Sequence, residues 1–80
     1  MMGSEKIKVD KENTIGRNIR DLRKNRGLGQ TELVRELQLI DVSMTRETLV
    51  KIERGIQHIH LEQLKGIKQV LNVTYEDLLD

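Results

Sequence analysis

The sequence predicts an all-α domain of five short helices. Three observations lead there. From residue 13 onward, aliphatic side chains recur at three- and four-residue intervals. Convincing strand-type alternation is missing, with only weak hints around Val9 and in residues 56–61. Gly27, Gly55 and Asn72-Val73-Thr74 interrupt the helical pattern often enough to leave each helix only a few turns.

Each element has its own signature. Residues 1–12, MMGSEKIKVDKE, are charged and weakly patterned and read as an N-terminal tail, leaving 13–80 as the folded domain. Ile15, Ile19 and Leu22 share one face of a first helix, with Asn13 or Thr14 as its cap and Gly27 as its stop. Gly29-Gln30-Thr31-Glu32 opens a second helix whose apolar patch is Leu33, Val34 and Leu37. Gly29 caps it more weakly than Ser or Thr would. Residues 38–44 mix apolar and turn residues, so either the second helix runs on or a loop begins. Thr45-Arg46-Glu47-Thr48 starts a third helix, with Leu49 and Ile52 inward and Gly55 as its stop. Either Ser43 or Thr45 serves as its cap. Leu61, Leu64, Ile67 and Leu71 space a fourth helix. Thr74 with Asp77 makes a capping-box-like start for a short fifth helix ending at Leu79.

Composition narrows the function. Eighty residues make one small domain with a lean core: 25 of the apolar side chains are Leu, Ile or Val, and Tyr75 is the lone aromatic. With no cysteine there is no disulfide, no cysteine zinc site and no thiol nucleophile. Apolar runs are far too short for a bilayer, so no membrane partner is expected and the reading is cytoplasmic. Nothing points to a small-molecule ligand, since so small a domain has little room for a deep pocket. The chain has no Gly-rich phosphate loop and no His-Glu-x-x-His, and neither Ser4 nor Ser43 has a base in a recognisable motif. An enzyme is therefore not expected, nor a cofactor. His58-x-His60 lacks a cysteine and a clear third ligand, a poor zinc site, so no metal is expected either. The net charge is +1, but it is unevenly spread. Residues 1–30 hold eight Lys/Arg against four Asp/Glu, and residues 31–80 hold six against nine. A basic first segment can form one positive face, the first item in a case for nucleic acid.

The motifs carry the case further. Two short helices joined by a turn inside a five-helix domain follow the helix-turn-helix plan. Gln30-Thr31-Glu32-Leu33, Thr48-Leu49-Val50-Lys51-Ile52-Glu53-Arg54-Gly55, Leu61-Glu62-Gln63-Leu64, Leu71-Asn72-Val73 and Asp77-Leu78-Leu79 resemble the phage-repressor or Cro-like family, the XRE-type regulators. Arg23, seven residues before Gln30, matches as well. The resemblance spans about residues 15–79, and Thr48-x-x-x-Ile52-Glu53-x-Gly55 is its most specific part.

That resemblance implies a lambda-repressor-like fold that binds double-stranded DNA, with the third helix (about 45–54) in the major groove. It makes Thr45, Arg46, Glu47 and Lys51 the base-facing candidates. It puts Gln30, at a helix N-terminus, on a phosphate, with Arg54, Gln57 and His58 as further backbone contacts. It assigns Arg23 and Glu53 to a structural ion pair between the first and third helices. The chemistry fits these roles. Arg46 can bond guanine O6 and N7, Lys51 can serve guanine or phosphate, and Glu47 can accept from cytosine N4, repel wrong sequences or pair with Lys51. A bacterial or phage repressor acting as a homodimer on a two-fold operator is the expected function. The different-class alternative is an antitoxin-like or anti-repressor-like protein-interaction module. The Tyr75–Leu79 segment is either a dimer surface or a cap on the monomer core.

The chain also departs from the family pattern. The Gln30–Glu53 spacing is about five residues longer than usual, the excess falling in residues 38–44. Leu39, Ile40 and Val42 are expected to tuck against the core, because exposing three aliphatics is costly. Val34 stands where Ala is common, and Gly29 replaces a polar cap.

Overall fold

A computed structural model describes residues 11–80, with side chains from residue 13 onward. It contains α1 (Lys11–Asn25), α2 (Gln30–Leu39), α3 (Arg46–Glu53), α4 (Leu61–Leu71) and α5 (Tyr75–Leu79). No strand occurs among the described residues. α1 begins two residues earlier than the sequence predicts, so Asn13 and Thr14 lie inside its first turn rather than capping it. Asn13 packs beside Gly55 at the end of α3, a tertiary contact that a local reading does not see. The rest of the expected tail, residues 1–10, lies outside the described residues.

The helix stops share one device. Gly27 N–H bonds Lys24 O at 2.9 Å and Leu28 N–H bonds Arg23 O at 3.1 Å, closing α1 with a Schellman motif. The same pair of bonds recurs around Gly55, around Asn72 and around Asp41. All four pivots have positive φ, which Gly adopts freely and Asn or Asp tolerates. Asp41 therefore ends α2, and residues 38–44 are split between helix and loop. Thr45, not Ser43, caps α3: its Oγ1 accepts from Thr48 N–H at 3.1 Å. At α5, Thr74 Oγ1 accepts from Asp77 N–H and Asp77 Oδ2 accepts from Thr74 N–H, both at 3.0 Å, completing the expected box. Glu32 and Gln63 reach back in the same way to the N–H groups of Gly29 and His60.

The apolar stripes of the five helices meet in one core. Ile19, Leu33, Leu37, Leu49, Ile52, Ile67, Leu71 and Leu78 are fully buried in it, each worth about 1.5–3 kcal/mol of transfer free energy. Val34 and Met44 join them, and Ile40 and Val42 pack partly against it. Leu39 does not tuck in as expected and is 72% exposed. It follows Leu37 by two residues, about 200° around the helix, so the last turn of α2 turns it outward.

Two glycines set helix spacing. A Cβ on Gly16 of α1 would fall onto the Ile52 carbonyl oxygen and within 2.9 Å of Glu53 O, so α1 lies directly against the end of α3. A Cβ on Gly66 of α4 would come within 2.8 Å of Val42 Cγ2 and 3.0 Å of Leu37 Cδ2. The long α2–α3 connection thus beds down on α4. α5 packs on α1, with Leu78 in the core and Leu78 O accepting from Asn18 Nδ2 at 2.9 Å. The fifth helix caps the monomer core. Tyr75 stays at the surface, where Lys68 Nζ sits 5.1 Å above its ring.

Candidate nucleic-acid interface

An ion pair holds α3 to α1. Arg23 Nε bonds Glu53 Oε2 at 2.7 Å and Arg23 Nη2 bonds Glu53 Oε1 at 2.9 Å, a fork-on-carboxylate pairing. Arg23 Nη1 also donates to Leu28 O at 2.9 Å, pinning the α1–α2 turn. Both side chains are buried, at 8% and 3% exposure, so the expected structural pair is present. Gln30 Nε2 donates to Glu53 Oε1 at 3.1 Å. One carboxylate therefore fixes α1, α2 and α3 relative to one another. The flank of α3 that carries Arg46, Val50 and Arg54 stays open.

That face carries two adjoining depressions. One is lined by Arg46, Glu47, Val50, Lys51, Arg54 and Ile56. The other is lined by Arg20, Gln30, Val50, Glu53 and Arg54. They share Val50 and Arg54, so they form one surface running from α3 across to the start of α2 and the flank of α1. Its cations are Arg20, Arg46, Lys51 and Arg54. Its acids are Glu47 and Glu53, and Glu53 is already neutralised by Arg23. The surface is locally positive on a chain of net charge +1, and it can attract an anionic polymer while presenting a helix to it.

Most of the sequence-derived candidates converge here. Arg46, Glu47, Lys51, Arg54 and Gln30 line the shared surface. Thr45 does not line it: its hydroxyl caps α3 and donates to Thr48 Oγ1 at 3.1 Å. Gln57 and His58 sit further along the loop after Gly55, the first half-buried and the second exposed, and neither lines the depressions. Sequence reasoning missed Arg20, Val50 and Ile56. Arg20 lies off the Ile15–Ile19–Leu22 stripe, which marked it as surface but gave no hint of which surface. His60 is the N-cap residue of α4. No group of three or more His, Cys, Asp or Glu able to hold a metal occurs among the described residues. No helix there is long and apolar enough to cross a membrane.

A family model described as helix-turn-helix matches residues 19–78, from the middle of α1 into α5. It is a family of DNA-binding regulatory domains. No match was found among curated proteins or among solved structures. The match covers the ion pair, both helices of the motif and the cationic surface, and it agrees with the five-helix, strand-free architecture. This chain belongs to the XRE-type, Cro-like helix-turn-helix family of DNA-binding regulators.

Proposed function

We propose that this protein is a sequence-specific, cytoplasmic transcriptional repressor that lays α3 in the DNA major groove and acts as a homodimer. The observation that carries this reading is the continuous cationic surface around α3, from Arg46 and Lys51 to Arg54, Gln30 and Arg20. Arg46 and Lys51 read base edges from the groove floor, Arg46 by its paired donors to guanine O6 and N7. Glu47 adds an acceptor for cytosine N4. Arg54, Arg20 and the α2 N-terminus at Gln30 hold the phosphates on either side, which sets register without carrying sequence information. Thr45, at the start of α3, faces the bases, and Gln57 and His58 contact the phosphate backbone.

A homodimer follows from energetics. One such module touches few base pairs, each worth about 1–3 kcal/mol of discrimination, and two modules on half-sites one helical turn apart multiply it. Repression follows by occupying a promoter.

A second reading has one observation in its favour. Leu39 and Leu61 are 72% and 64% exposed, as a protein-interaction module of the antitoxin-like or anti-repressor-like kind would have them. The test is affinity selection on a randomised duplex pool, followed by a salt titration of the enriched duplex. An enriched inverted repeat is expected. Its affinity should fall with log salt at a slope of about −0.9 per neutralised phosphate. Failure to enrich any sequence with folded protein refutes the repressor reading in favour of the interaction module.

A further inference from the structure

The cationic surface has an apolar floor. Ile56 is 64% exposed, and Val50 beside it is half-buried. Both line the same depression as Arg46, Glu47, Lys51 and Arg54. Their adjacency has a backbone cause. Gly55, at φ 78°, closes α3, and Ile56 N–H bonds Lys51 O at 3.0 Å, turning Ile56 back beside the helix. A hydrophobic contact of this kind commonly accompanies a Schellman motif. It explains why Ile56 and Val50 meet. It does not explain why an isoleucine so placed is left open to solvent among three cations. A Lys, Ser or Thr there would complete the same turn without exposing an aliphatic side chain.

We propose that Val50 and Ile56 are specificity-determining residues that receive the 5-methyl group of a thymine next to the base read by Arg46 or Lys51. Thymine is the base that offers an apolar group to the major groove, and aliphatic side chains are its recognised partners there. Charge complementarity selects the occupant: Arg46, Lys51 and Arg54 against Glu47 leave an excess of positive charge around the apolar floor, which suits a methyl group carried on a polyanion. An uncharged apolar partner would desolvate that excess positive charge without pairing it. The floor is also pre-organised, because the helix stop rather than a free loop holds Ile56 in position.

The inference rests on α3 reading DNA, and the experiment separates the two. The duplex enriched by selection is resynthesised with each thymine replaced singly by deoxyuridine, which deletes one methyl and leaves every hydrogen-bonding group in place. At one thymine per half-site, affinity is expected to fall about fourfold, the equivalent of one buried methyl group. Ile56→Ala, a change at an exposed position that leaves the core intact, should bind the thymine and deoxyuridine duplexes equally. Val50→Ala should narrow the difference in the same way. Uniform tolerance of deoxyuridine at every position overturns the methyl-reading role while leaving sequence-specific binding standing. A difference that survives unchanged in Ile56→Ala also overturns it. Absence of any enriched duplex overturns both.

Discussion

Arg23→Ala tests whether the buried pair is scaffold or reader. In the native domain Glu53 accepts three bonds: from Arg23 Nε at 2.7 Å, from Arg23 Nη2 at 2.9 Å and from Gln30 Nε2 at 3.1 Å. The substitution removes the two charge-assisted bonds and leaves a carboxylate only 3% exposed with the Gln30 amide alone. Leu28 O loses its guanidinium donor too. Breaking a buried pair on one side costs about 3–5 kcal/mol. A domain of this length holds a total of about 4–12 kcal/mol, so the variant stands near its unfolding threshold. The expected fall in Tm is roughly 12–40 °C. Replacing both partners by apolar side chains, Arg23→Met with Glu53→Leu, should recover most of the loss, because no unpaired charge remains. Urea titration followed by circular dichroism compares wild type, Arg23→Ala and the double variant, with an unchanged slope m showing that the midpoint reports stability. Loss of DNA binding in Arg23→Ala should track the unfolded fraction. An Arg23→Ala variant with wild-type midpoint and defective binding refutes the scaffold argument and makes Arg23 a DNA contact.

Asp41→Gly should raise Tm, by up to about 1 kcal/mol of relieved left-handed strain or roughly 4–8 °C, since Asp41 pivots the α2 stop at φ 65°. A lower Tm in a thermal melt contradicts the strain argument. Gly66→Ala should destabilise despite its better helix propensity, because its Cβ meets Val42 Cγ2 at 2.8 Å and overpacking costs about 1–3 kcal/mol. Adding Val42→Ala should then restore part of the loss, and strict additivity of the two changes in denaturation speaks against the contact. Arg46→Ala is expected to relax preference at one operator position at a cost of about 1–3 kcal/mol, read by repeating the duplex selection. Equal weakening on every sequence instead makes Arg46 a phosphate contact. Gln30→Ala should weaken operator and random DNA alike in parallel titrations, and selective loss on the operator removes it from the backbone-contact set.

What the sequence revealed, and what it hid, divides along one physical line. Features written within one turn of helix were legible. The Ile15–Ile19–Leu22 and Leu61–Leu64–Ile67–Leu71 stripes, the Thr74–Asp77 cap and the Gly27 and Gly55 stops depend only on near neighbours. The Arg23–Glu53 pair was legible by family resemblance, not by spacing. The misread parts depend on a contact between distant segments in one case and on how far a helix runs on in the other. Asn13 sits inside α1 because that helix packs against Gly55, 42 positions away. Leu39 is exposed because α2 continues past the point where the family's turn begins, which rotates residue 39 off the core face.

The inserted length in residues 38–44 raises the question of whether α3 still docks as the motif requires. Three constraints argue that it does. Glu53 ties the end of α3 to Arg23 of α1 and Gln30 of α2. Gly16 brings α1 against the Ile52 and Glu53 carbonyls, closer than any side chain permits. Leu49 and Ile52 are buried in the same core as Leu33 and Leu37. None of these contacts involves the inserted residues. The segment itself folds onto the core through Ile40, Val42 and Met44, and Val42 is absorbed by the space left at Gly66. Insertions in connecting segments cost little when the elements they join are fixed by contacts elsewhere. The position of α3 is thus set by its far end rather than by the turn that leads into it. The surface formed by Arg46, Lys51 and Arg54 is therefore a property of the ion pair and the core. Shortening the 38–44 segment should alter stability through Val42 and Met44 before it alters what α3 reads.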